Sequence, residues 1–322
     1  MKDCALRFVA VAAACWLSGP ATAQSYPNRA ITIVVPFSVS TASDVLARTV
    51  GKQVGERLGA SVVVDNRPGA SGSIGNSMVA KAAPDGYTLL LAATSFIISK
   101  SLNPSLPFDP ARNYSPVALL ATGPVGLVVN SELPAQSVAE VVALAKSRPG
   151  RLFYASPGNG TIQHMSMELF KLETETNIVH VPYKEQSGAL TDLVAGRTHI
   201  MITPLLGVMN LIQSGRVRLI GMLTSERAAP VPSVPTFKEA GFPTLEVAVW
   251  YGLLGPAGLP ADVVGRLNKE INASLNQRDV RDVFEKQGLS PAGGSPERFA
   301  EWMRGELQRW PRVVARSGIK PD

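Results

Sequence analysis

Apolar residues recur along this chain in two alternating rhythms: short unbroken runs, and longer stretches with a single apolar face. The first run, Ile-Thr-Ile-Val-Val-Pro at 31–36, predicts a buried strand. Residues 44–58 follow as a helix, with Leu46, Val50, Val54 and Leu58 four apart on one side. Residues 62–95 hold the pattern in its most compact form. An apolar run at 62–64 precedes turn chemistry in Asn66-Arg67-Pro68-Gly69, then a helical stretch at 73–82 and a second apolar run at 89–93. This is a βαβ unit, and strands that are apolar throughout belong in a parallel sheet buried on both faces.

A proline-marked loop at 106–113 comes next. Two apolar pieces, 117–121 and 126–129, are then separated by Gly123-Pro124, a break that predicts a crossover between two lobes. Ser137 and Glu140 form a capping box that opens a helix running to Ser147, which Pro149-Gly150 ends. Strands at 153–155, 179–181, 200–202 and 219–223 then alternate with helices at 161–171, 188–195 and 207–214. After turn-rich 230–235, residues 247–254 predict a return strand, followed by helices from Asp262, Val280 and Ser295-Pro296, where proline suits the first helical position. The expected class is α/β with two lobes, each a mainly parallel sheet flanked by helices. Lobe 1 comprises 24–123 and 248–322, lobe 2 comprises 124–247, and a ligand cleft lies between them.

Composition narrows the function classes. With 45% hydrophobic and 17% charged residues the chain can build a compact core and is not disordered. The formal charge of +6 is mild and its basic residues are scattered, which argues against nucleic acid as a partner. Lys2 and Arg7, an apolar stretch at 8–17 and Ala21-Thr22-Ala23 make up a cleavable secretory signal over 1–23, so a periplasmic protein is expected. Both cysteines, Cys4 and Cys15, fall inside that signal and leave the remainder without thiol chemistry. Ala13-Ala14-Cys15 is a poor lipoprotein box, because Ala12 stands where a large aliphatic is usual.

Candidate chemistry lies in the strand-to-helix loops, since ligands of open α/β sheets sit at the carboxyl ends of the strands. Helix N-termini there offer unpaired amides and partial positive charge. The loop from Phe37 through Ser38, Val39, Ser40 and Thr41 to Asp44 carries four hydroxyls before its helix; plain capping by Ser43 or Asp44 is the competing reading. The loop Ser156-Pro157-Gly158-Asn159-Gly160-Thr161 has two glycines that admit a close backbone approach, with a simple tight turn as the alternative. His164, His180 and His199 are too far apart in sequence for a local metal pair, so neither metal nor cofactor is expected. No Gly-x-Ser-x-Gly or His-Glu-x-x-His motif occurs, and an enzyme is not expected, although Ser156, His164 and Asp192 can be written as a triad for a secreted hydrolase. Trp250 and Tyr251 suit either a core or a ring stacked on a ligand.

Several motifs share one order and spacing: Asn66-Arg67-Pro68-Gly69-Ala70, Pro84-Asp85-Gly86-Tyr87-Thr88-Leu89, Tyr154-Ala155-Ser156 through Gly160 and His164, His180-Val181-Pro182-Tyr183-Lys184, and Trp250-Tyr251-Gly252 through Gly258. Together they resemble the extracytoplasmic solute receptors of tripartite tricarboxylate transporters, the TctC or Bug family. The resemblance implies a type II-like, two-lobed periplasmic binding protein, monomeric and cofactor-free. Such a protein captures a small organic carboxylate and delivers it to the transporter's membrane components. By position it implies ligand contacts from Phe37, Ser38, Ser40, Thr41 and Asp44, from Ser156, Asn159, Gly160 and Thr161, and from Ser95 and Thr203. Ser38-Val39-Ser40-Thr41 departs from the family's usual Pro-Gly-Gly, and Thr203 stands at a usually acidic position. The same fold would also serve a ligand sensor that docks a sensor kinase ectodomain.

Overall fold

The computed structural model describes residues 26–319, so the expected secretory signal and its cleavage site lie outside the described residues. The first sheet begins with three parallel strands, β1 (Ile31–Val35) between β2 (Val62–Asn66) and β3 (Thr88–Ala93). Helices α1 (Ala42–Leu58), α2 (Ser73–Ala80) and α3 (Ser95–Leu102) alternate with them. Two antiparallel strands, β9 (Ala248–Pro256) and β4 (Tyr114–Asn130), then extend the sheet, and the short β10 (Ser290–Pro291) closes that edge. In the second sheet β5 (Leu152–Ser156) lies parallel to β6 (Ile178–Pro182) and β7 (Ile200–Pro204). Both β7 and β8 (Val217–Met222) run antiparallel to β4. Helices α4 (Val138–Ser147), α5 (Ile162–Thr174) and α6 (Gln186–Val194) belong to this half, and α7 (Met209–Gln213), α8 (Ala261–Leu275), α9 (Arg278–Lys286) and α10 (Pro296–Ser317) complete the order. The α/β expectation of two sheets flanked by helices holds.

Three details differ from the sequence pattern. Gly123-Pro124 does not interrupt the chain, because β4 runs unbroken from Tyr114 to Asn130. Its first part pairs with β9 as far as Pro124↔Ala248, and its second part with β7 from Val125↔Pro204. The proline, which has no N–H to donate, sits where one partner gives way to the next, so little ladder bonding is lost. At Gly123 a side chain would meet Val249 Cγ2 at 2.6 Å and Leu289 Cδ2 at 2.7 Å, which explains the bare backbone there. Helix α3 was not anticipated: Ser-Phe-Ile-Ile follows β3 with no turn residue to mark a new element. The helix expected at 207–214 splits into a 3-10 turn, Leu205–Val208, and the short α7.

One apolar cluster spans both sheets, from Leu90 and Tyr114 through Leu127 to Tyr154 and Phe170. Helix α10 covers it, packing on α3, on β4 and on α5 of the second half. Its apolar side puts Phe299, Met303, Trp310 and Val313 into the core. Among them lies one carboxylate: Glu306, 4% exposed, accepts from Trp250 Nε1 (3.0 Å) and Trp310 Nε1 (2.8 Å) and pairs with Arg309 (2.7 Å). Trp250 is therefore a core residue of β9 rather than a free stacking surface. Burial pushes the Glu306 carboxyl upward, while Arg309 and the two indoles oppose that.

Replacing Glu306 with alanine orphans two buried indole N–H groups and a guanidinium, so a loss of about 3 kcal/mol is expected. Glu306→Gln, which keeps one acceptor, should lose less. Thermal unfolding followed by tryptophan fluorescence measures both.

Candidate functional site

The two candidate loops leave the carboxyl ends of β1 and β5 and enter α1 and α5 by the same hydrogen-bond plan. Thr41 and Thr161 are the N-caps, both in extended backbone. Thr41 Oγ1 donates to the Ser38 carbonyl (2.9 Å) and accepts from the Asp44 amide (3.4 Å). Thr161 Oγ1 donates to the Gly158 carbonyl (2.8 Å) and accepts from the His164 amide (3.3 Å). One residue earlier, the Ser40 amide donates to Asp44 Oδ2 (3.0 Å), and the Gly160 amide to His164 Nδ1 (3.1 Å). The backbone agrees, with φ 66° at Ser40 and 72° at Gly160. One plan is thus built twice, once closed by a carboxylate and once by an imidazole.

The positive φ has a different origin in each loop. Gly160 can take it without cost, and a side chain there would sit 2.4 Å from Leu102 Cδ1, at the end of α3. That contact brings the β5–α5 loop against the first half of the molecule. Ser40 takes the same conformation with a Cβ, a strain of about 1–2 kcal/mol. It is held there by Asp44, which is 4% exposed and ion-paired to Arg48 at 2.9 Å. Burial works against the charge on Asp44, but hydrogen bonds from Arg48, the Ser40 amide and Asn66 outweigh it and hold the carboxyl below its ordinary range.

The remaining residues divide into those that face outward and those that support. Ser38, Ser40 and Asn159 are exposed, and Phe37, Thr41, Ser95, Gly160 and Thr161 are half-buried. Val39 is 62% exposed, an apolar side chain among hydroxyls. In each helix the first-turn amides after the cap, Ala42 and Ser43 or Ile162 and Gln163, have no intrahelical acceptor. Neither loop contains a lysine or arginine, and the nearby Lys100 Nζ donates to the Pro104 and Leu106 carbonyls, both at 2.8 Å.

Three residues carried over as contacts are buried instead. Asp44 holds its loop, and Ser156, fully buried, lies 2.7 Å from His180 Nε2 and accepts from the Gly158 amide. Thr203 is fully buried on β7, and its hydroxyl has no partner among the described residues. The paper triad does not assemble. Ser156 meets His180 rather than His164, and Asp192 is taken by Tyr183 (2.6 Å) and Arg197 (2.7 Å). Sequence reasoning passed over His180, Glu168 and Leu102 as parts of this region. The four-residue spacing of His164 and Glu168, one helical turn, was the available signal.

A groove of about 1420 Å³ opens on the β10 side of the first sheet, between the turn after β7 and α10, lined by Leu206, Thr224, Arg227, Arg298 and Trp302 among others. Its charges are mixed and it contains none of the candidate residues.

Ser40→Gly relieves the left-handed strain and leaves the amide bond to Asp44 in place, so it should raise stability by up to about 1 kcal/mol. Chemical denaturation at neutral pH measures the gain.

Comparison with known proteins gives a consistent picture. The family model described as "Tripartite tricarboxylate transporter family receptor" matches residues 46–319. A solved structure titled as that of a periplasmic transporter is 37% identical, with a TM-score of 0.73, covering 92% of this chain and 100% of its own. Rpa4515 of R. palustris, solved with adipate, is 36% identical with a TM-score of 0.73 and the same coverage. MatC (Rpa3494) of Rhodopseudomonas palustris, solved with bound malate, is 31% identical with a TM-score of 0.71, covering 90% of this chain and 100% of its own.

Proposed function

The chain belongs to the tripartite tricarboxylate transporter receptor family, and on that premise we propose that it captures a small organic carboxylate between the β1–α1 and β5–α5 loops and delivers it to the transporter's membrane components. The observation that carries this reading is the matched pair of threonine-capped helix starts, one from each sheet. Each presents unpaired first-turn amides and the positive end of a helix dipole, worth about 0.3–1 kcal/mol per charged group and up to about 2 when partly buried. A carboxylate held between two such ends needs no arginine.

In this reading Ser38, Ser40 and Thr41 contact the ligand from one side and Asn159, Gly160 and Thr161 from the other, with Phe37 and Ser95 as walls. Asp44 and Ser156 act behind them by fixing loop shape. Contacts from both halves favour the arrangement in which the loops approach, so binding shifts the molecule toward it. The adipate and malate of the two related structures fit this ligand class. The protein works as a monomeric periplasmic receptor after loss of residues 1–23, and the chemistry is binding alone.

The test is a thermal-shift and calorimetric screen of the purified protein against mono-, di- and tricarboxylates. A ligand at 100 times its dissociation constant adds about 2.7 kcal/mol of stability. Thr161→Ala and Ser40→Ala should each weaken binding of the hit about tenfold, or about 1.4 kcal/mol, while remaining folded. Wild-type affinity in both variants would place the site elsewhere, and silence across the panel would remove the carboxylate assignment.

A further inference from the structure

Beneath the β5–α5 loop stands a column of stacked rings. His164 and His180 lie face to face, centroids 4.1 Å apart and planes 8° from parallel, and Tyr154 continues the stack 4.6 Å from His180. The Tyr154 hydroxyl donates to Glu168 Oε1 (2.5 Å), which also takes Lys171 Nζ (2.6 Å). Each imidazole reaches one end of the loop. His164 Nδ1 accepts from the Gly160 amide, and His180 Nε2 meets the Ser156 hydroxyl, which in turn holds the Gly158 amide at 3.2 Å.

We propose that His164 and His180 are positioning residues for the β5–α5 loop, and that a proton on Nδ1 of His164 releases that loop, so that capture of an anionic ligand depends on pH. The ligand part of this inference rests on the function proposed above; the loop part does not.

The argument is one of donors and acceptors. To accept from Gly160, His164 must be neutral with its proton on Nε2; protonated at Nδ1, it would face one N–H with another. Among the groups facing the pair are Tyr154 and Ser156 from β5, and Glu168 and Lys171 from α5, with His180 itself on β6. Glu168, the one acid in that set, is already shared with the Lys171 ammonium. Two imidazolium rings at this separation would repel each other, so the stack does not readily take two protons. Burial, His164 and Lys171 lower the His180 pKa to about 4, against a smaller opposing pull from Glu168. The sign follows. The unfolded chain takes up the proton at about pH 6.5, so the stabilisation from neutral His180 is complete above that pH and is lost as pH falls toward 4, and the Gly160 hydrogen bond, which needs neutral His164, has the same sign.

The first loop supplies an internal control. Asp44 occupies the place of His164 there, and its charge is already fixed at neutral pH. Acid therefore acts on one of the two loops only.

The test follows the Gly160 amide and the imidazole nitrogens by NMR from pH 8 to 4 in the ¹⁵N-labelled protein. Calorimetry with adipate runs in parallel over the same range, each affinity referred to the adipate dianion so that protonation of the ligand itself is taken out. In the wild type the Gly160 amide should move with the imidazoles, and adipate affinity should fall on acidification. His164→Asn keeps a neutral acceptor in the place that Asp44 fills in the other loop. It should retain neutral-pH affinity within about twofold and flatten the profile, whereas His164→Ala should lose about tenfold at every pH. A Gly160 amide that stays still while the rings titrate overturns the proposal, as does a wild-type pH slope in His164→Asn. If adipate binds at no pH, the ligand reading fails and the amide titration alone decides the loop assignment.

Discussion

Two sheets in this molecule share one strand. β4 leaves its partner in the first sheet at the same step at which it acquires partners in the second, so a single backbone ladder sets the spacing and twist of both halves. Everything that faces across the molecule inherits its position from that ladder. The carboxyl ends of β1 and β3 are placed by β9, which is registered on β4, and the carboxyl end of β5 by β7, which is registered on β4 from the other side. Because the pairings of the shared strand are in fixed register on both sides, the two loops are held in alignment with one another.

The loops themselves carry one hydrogen-bond design in two chemical forms. A threonine cap, a residue with left-handed backbone before it, and a side-chain acceptor three residues after it recur in both. Nothing in the local backbone requires the acceptor to be charged in one loop and neutral in the other. The difference makes the two walls electrostatically unequal: the carboxylate of Asp44 already occupies one amide of its loop, whereas the imidazole of His164 leaves the second loop without a negative charge. The negative charge of the first loop is matched by its ion pair with Arg48, so the second loop reaches neutrality with one ring where the first needs two charged partners.

Much of this was legible in the residues. Unbroken apolar runs between capped amphipathic stretches identify parallel strands and their helices almost one for one, because both periodicities are local. Thr161 reads as a cap for the same reason. What escaped was what depends on distant partners. Pro124 reads as a break because sequence does not reveal that its missing N–H falls between two ladders. Helix α3 hides in an apolar stretch that suits a strand equally well. Ser156 and Asp44 look like polar groups offered to a ligand, and only the fold turns them inward, onto His180 and Arg48. The pairing of His180 with His164 joins a strand to a helix, and no local spacing announces it.

The position of α10 has a consequence for how the chain is made. Its side chains complete a core whose other members come from the earliest strands, and β9, which borders β3, also arrives late. Chains grow from the N-terminus, so the first half emerges without the pieces that seal it and cannot close on itself until the final helix is available. Folding dominated by such distant partners is slow. The first half is thereby left without its full core until late in synthesis, whereas the smaller apolar cluster of the second half, from Val128 to Val217, has all its buried members well before then.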